Sequence, residues 1–77
     1  MNGINRWRFE TDSRYYEVEI TKDLFGQFVL MRYWGGKGSS RFGKKDILIK
    51  NQQEGRLALD TIKKQRLKRG YIELKEQ

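Results

Sequence analysis

Residues 32 to 45 carry the densest chemistry in the chain. They hold Arg32, Lys37, Arg41, Lys44 and Lys45, no acid, four glycines and the aromatics Tyr33, Trp34 and Phe42. Lys and Arg neutralise phosphate charge, glycines let the backbone N–H groups approach a phosphate closely, and an aromatic face stacks on a sugar or base. The segment therefore has the ingredients of a phosphate-backbone contact, and Arg32, Trp34, Gly35, Gly36, Lys37, Arg41, Lys44 and Lys45 are its candidate nucleic-acid-binding residues. It does not match the familiar nucleotide loops. Lys37 is followed by Gly38 instead of Ser or Thr, and the glycine spacing misses the dinucleotide fingerprint, so a mononucleotide ligand is not expected.

Covalent and acid–base chemistry has little to work with. There is no His and no Cys, which removes the usual general base, the usual metal ligands, thiolate nucleophiles and disulfides. Ser39 and Ser40 lack a base to activate them. Glu17 and Glu19 share one strand face with no metal-binding partner, and are expected to lie opposite cations across the sheet. No catalytic residue, metal or cofactor is expected.

The charge balance points the same way. Seventeen Lys and Arg stand against ten Asp and Glu, a net charge of +7 on 77 residues. Residues 1–31 carry net −1, residues 32–50 net +5 and residues 51–77 net +3. A positive potential confined to the second half attracts polyanions, of which nucleic acid is the commonest. The longest apolar run, Phe28 to Met31, is too short to span a membrane, and no N-terminal targeting pattern is visible; a cytoplasmic location is expected, with nucleoid association as an option and without a membrane partner.

The elements that must position these residues can be read from periodicity. At this length a single domain over residues 1–77 is expected, burying about 60% of the surface of its unfolded chain. Arg6 to Glu10 alternates polar and apolar, and Thr11-Asp12-Ser13 has turn chemistry. Tyr15 to Thr21 alternates again, with Tyr16, Val18 and Ile20 on one face, so at most one of Tyr15 and Tyr16 is buried with them. Asp23-Leu24-Phe25-Gly26 predicts a type I turn with a glycine bulge, leading into a strand from Gln27 to Trp34. That strand is apolar on both alternations, which places it inside the sheet, although alternation alone leaves open which side Trp34 faces. A fourth strand is expected from Ser40 to Lys45. Asn51 and Glu54 have capping-box spacing for a helix running to Arg69, with Ala58, Leu59 and Ile62 on one face, Leu67 at its edge and Gly70 as the stop. The basic cluster Lys63, Lys64, Arg66, Lys68 and Arg69 suits the helix C-terminus electrostatically. Tyr71 to Leu74 adds a short edge strand. The fold class is α+β, a small antiparallel sheet of four to five strands with one helix packed on one face. Trp7 is expected in the core, and Leu24 and Phe25 are expected to fold back onto the sheet.

In order, the chain shows two strands, the Asp-Leu-Phe-Gly hairpin, a strand ending in Tyr33-Trp34-Gly35-Gly36, the Lys37-Gly38 loop, a basic strand, a helix and Arg69-Gly70-Tyr71. This succession resembles the WGR domain from about Arg6 to Leu74. The family is named for a Trp-Gly-Arg motif and occurs as a DNA-end-sensing module in poly(ADP-ribose) polymerases and as small free-standing bacterial proteins. The resemblance implies that Trp34 packs on a sugar at a DNA end, with Lys37, Arg41, Lys44 and Lys45 on phosphates. The third motif position is Gly36 here where the family has Arg, and Lys37 follows it. The sequence thus predicts a non-catalytic nucleic-acid-binding module, for DNA ahead of RNA and for ends or nicks. The alternative is a protein-interaction module that binds an acidic partner or self-associates, working through Leu24 and Phe25 or an open sheet edge.

Overall fold

The computed structural model describes residues 5–74. Five strands and one helix follow each other as β1 (Asn5–Glu10), β2 (Arg14–Lys22), β3 (Phe28–Gly36), β4 (Phe42–Ile49), α1 (Gln52–Lys68) and β5 (Ile72–Leu74). The strands form one antiparallel sheet in the order β4-β3-β2-β1-β5. This is the expected α+β fold, a five-stranded antiparallel sheet with one helix on one face.

Local chemistry accounts for the turns. Thr11 Oγ1 accepts from the N–H groups of Ser13 and Arg14, closing the β1–β2 turn. At the β2–β3 hairpin the Gly26 N–H donates to the Asp23 carbonyl at 3.1 Å, and the Asp23 carboxylate accepts from the N–H groups of Phe25 and Gln27, both at 2.9 Å. Because this turn extends beyond the last rung of the sheet, Lys22 opposite Phe28, its tip has nothing to fold onto. Leu24 is 99% exposed and Phe25 85% exposed, so the expectation that they cover the sheet is corrected.

β4 also departs from expectation, running on through Asp46 to Ile49. Lys44-Lys45-Asp46 breaks the alternation there, and as an edge strand β4 has few buried positions to impose one. Asn51 caps α1 as expected, its Oδ1 accepting from the Glu54 N–H at 2.8 Å. The Glu54 carboxylate reaches back to the N–H of Lys50, one residue before the cap.

The core lies between α1 and the sheet face that carries Phe9, Tyr16, Val18, Ile20 and Leu30, sealed by Leu59, Ile62 and Tyr71. Of the two adjacent tyrosines Tyr16 is the buried one, while Trp7 is half-buried against this core with the Arg56 guanidinium 5.7 Å from its ring centre. Leu67 is exposed.

Candidate nucleic-acid interface

Strand register fixes one side of the site. Tyr16, Trp34 and Gly43 share a rung across β2, β3 and β4, with Val18, Arg32 and Lys45 on a parallel rung two residues away and Arg14 opposite Gly36 on the other side. Period-two alternation puts Arg14, Tyr16, Arg32, Trp34 and Lys45 on the face that α1 covers. The Tyr16 and Trp34 rings stack with centroids 5.9 Å apart and planes 14° apart. Gly43 makes room for this. A Cβ there would lie 2.3 Å from the Trp34 indole, so the ring rests directly on the β4 backbone.

The end of α1 supplies the other side. Gly70 takes a left-handed conformation (φ +90°), its N–H donates to the Leu67 carbonyl at 3.1 Å and the Tyr71 N–H donates to the Arg66 carbonyl at 3.0 Å. This is a Schellman ending, and it turns the chain so that Tyr71 comes back beside Arg66. The Arg66 guanidinium sits 4.4 Å from the Tyr16 ring centre and 5.2 Å from that of Tyr71, a double cation–π contact.

Together these groups line a cleft of about 540 Å³ formed by Arg14, Tyr16, Arg32, Trp34, Arg66, Arg69 and Tyr71. Among the described residues, none of its four arginines pairs with a carboxylate. The Nε–H groups of Arg32 and Arg66 are buried without a protein acceptor among the described residues. Such a cluster of guanidiniums against a stacked aromatic wall suits phosphate oxygens flanked by a flat ring or sugar.

The acids have been sorted to the other face. Glu10, Glu17, Glu19 and Asp46 alternate away from α1, where Arg8 pairs with Glu10 and Glu17, and Arg6 with Glu19. Glu17 and Glu19 do lie opposite cations. Glu73 is the strand acid on the helix side, and Lys63 neutralises it at 3.5 Å. The hydrogen bond from Lys37, followed by that from Arg8, holds the Glu10 carboxyl below the usual carboxylate range. Arg8 is correspondingly pushed up, chiefly by its hydrogen bond to Glu10, against partial desolvation.

The candidate residues are therefore divided in space. Arg32 and Trp34 line the cleft, Lys45 stands next to Arg32 on the same face, and Gly36 lies opposite Arg14. Gly35 is buried on the far face, where a Cβ would lie 3.0 Å from the Tyr15 hydroxyl. Lys37 is tied to Glu10 at 2.7 Å, while Lys44 lies 5.8 Å from the Tyr33 ring centre and 3.8 Å from Asp46. Arg41 is exposed before β4 begins. Arg14, Tyr16 and Tyr71 were not among the sequence candidates, and Arg66 and Arg69 entered only as part of the basic helix end. A usable signal was present: Arg14 continues the Tyr16 alternation, and Arg66 lies four residues before the Gly70 stop.

A family model described as the WGR domain matches residues 4–77. The chain belongs to the WGR family. WGR domains are described as nucleic-acid-binding modules, and Trp34, the tryptophan of Trp34-Gly35-Gly36, lines the arginine cleft. No curated protein and no solved structure matches the chain with significance. No helix among the described residues is long and apolar enough to cross a membrane.

Proposed function

We propose that this WGR domain is a non-catalytic module that binds DNA at an end or nick by seating the strand in the arginine cleft. Arg14, Arg32, Lys45, Arg66 and Arg69 neutralise backbone phosphates, and Trp34, backed by Tyr16 and Gly43, supplies the flat surface for a terminal sugar or base. The convergence of unpaired arginines on the Tyr16–Trp34 stack carries this reading. Lys37 and Lys44 already have acidic partners on the far face and play a smaller part. Contact is largely independent of sequence, because the cleft presents charge and stacking surface rather than an element that reads base edges.

Tryptophan fluorescence tests the proposal in a Trp7→Phe background, with blunt duplex, duplex closed by hairpins at both ends, single-stranded DNA and RNA as titrants. Tighter binding to the blunt duplex is expected, with an affinity that falls with log salt at a slope of about −4.5 if five phosphates are neutralised. Equal binding to open and closed duplexes would remove the end preference. A stronger response to RNA would reassign the ligand, and no response to any of them at low salt would reject nucleic acid. The exposed Leu24–Phe25 tip favours a second reading, a protein contact at the hairpin. Leu24→Ser with Phe25→Ser should leave nucleic-acid binding intact and abolish only such a contact.

A further inference from the structure

The two edges of the sheet differ. β5 offers three residues, whereas β4 offers eight, with β3 on its inner side and no strand on its outer side among the described residues. After β4 the chain enters α1, which runs back across the sheet to β5 at the opposite edge and so leaves the outer side of β4 uncovered. A long open edge is a template for pairing with another chain, and proteins that avoid this usually shorten, bulge or charge the strand. β4 does carry charge, but in a self-complementary arrangement. On the face away from α1 its residues read Phe42, Lys44, Asp46, Leu48, with Phe42 and Leu48 each 64% exposed.

We propose that a second copy of this chain pairs with β4 in antiparallel register about Lys45, placing Phe42 opposite Leu48 and Lys44 opposite Asp46 of the other copy, each pair occurring twice. The two-fold axis is perpendicular to the sheet, so like faces stay together and residues of equal parity meet. Apolar meets apolar and cation meets anion along the whole far face, an arrangement that stabilises cross-strand pairing. The internal Lys44–Asp46 contact of 3.8 Å is loose enough to be exchanged for the one between copies. Shifting the register by two residues sets Asp46 against itself and Phe42 against Lys50 in one direction, and Lys44 against itself and Phe42 against Asp46 in the other, which selects the proposed one. On the helix side Lys45 meets its own copy, an opposing term that limits affinity. The resulting ten-stranded sheet carries both Trp34 clefts on one side, about 20 Å apart by ordinary strand spacing and rise.

Sedimentation equilibrium of the isolated chain from micromolar to millimolar concentration, without nucleic acid, tests this independently of the cleft. A concentration-dependent monomer–dimer equilibrium is expected. Lys44→Asp should weaken it by about tenfold or more, since two attractive pairs become repulsive. Combining Lys44→Asp with Asp46→Lys should restore it, because the exchanged charges still match in this register. Lys45→Thr should tighten it. A chain that stays monomeric at millimolar concentration overturns the proposal, as does a dimer indifferent to Lys44→Asp or one that the charge exchange fails to restore. Thermal melts of each variant confirm that the fold is retained.

Discussion

At the residue scale, Trp34 depends on its neighbours. Its ring is held between Tyr16 and the bare backbone of Gly43, where any side chain would collide with it. Gly43→Ala should displace the indole and cost about 1–3 kcal/mol of stability, as overpacking does. Urea unfolding and a shift of the Trp34 emission would register the change, and weaker nucleic-acid binding should accompany it under the proposed function. Arg66 is bound to its place by two rings rather than by an acid. Arg66→Lys keeps the charge but loses the planar guanidinium that stacks on Tyr16 and Tyr71, so it should weaken binding almost as much as Arg66→Ala. If Lys were fully equivalent at this position, geometry would have to give way to charge alone as the account of the cleft.

At the element scale, the ending of α1 decides where two of the four cleft arginines lie. Gly70 at φ +90° allows the Schellman turn that brings Tyr71 under Arg66. Gly70→Ala should cost about 1–2 kcal/mol, the usual penalty of a left-handed residue with a Cβ, and lower the urea midpoint without altering the dependence on denaturant. The cap at the other end of α1 is further from the cleft. Asn51→Ala should cost about 1 kcal/mol of stability and leave nucleic-acid affinity nearly unchanged. Comparing the two variants separates a loss of helix stability from a loss of cleft geometry. Both helix ends were legible in sequence, since Asn51, Glu54 and Gly70 act through neighbours within four residues. The last four residues of β4 were not, because an exposed edge strand is under little pressure to alternate.

At the scale of the whole molecule, the sheet separates charge by face. Of the strand acids, Glu10, Glu17, Glu19 and Asp46 occupy the side away from α1, and Glu73 on the helix side is paired with Lys63, which leaves the cleft itself lined by unpaired arginines. The far-face network also contributes to the pH dependence of stability. The Glu10 carboxyl is depressed in the folded state by Lys37 and Arg8, so its contribution is complete above its ordinary value of 4.5 and is lost as pH falls through the lower folded value. Stability measured by urea unfolding should therefore decline as pH falls from about 4.5 towards that folded value. Glu10→Gln should flatten the decline, and an unchanged acid limb in that variant would remove Glu10 from the account.

Sequence by itself determined the strand and helix periodicities, the turn at Asp23–Gly26, the caps of α1, the basic bias of the second half and the likeness to WGR domains. Each depends on residues close together in the chain or on composition. Tertiary structure decided which cations share a site. Lys44 and Lys45 are adjacent in sequence, yet β-strand alternation sends them to opposite faces, and the register with β3 settles which of them accompanies Arg32. Arg14, Arg32 and Arg66 lie far apart in the chain and meet because β2 pairs with β3 and α1 turns back over both. Such convergence is fixed by long-range register and burial, which no local pattern encodes. The 32–45 segment named the chemistry, but the fold divided it, keeping Arg32 and Trp34 in the cleft and adding arginines from β2 and the end of α1.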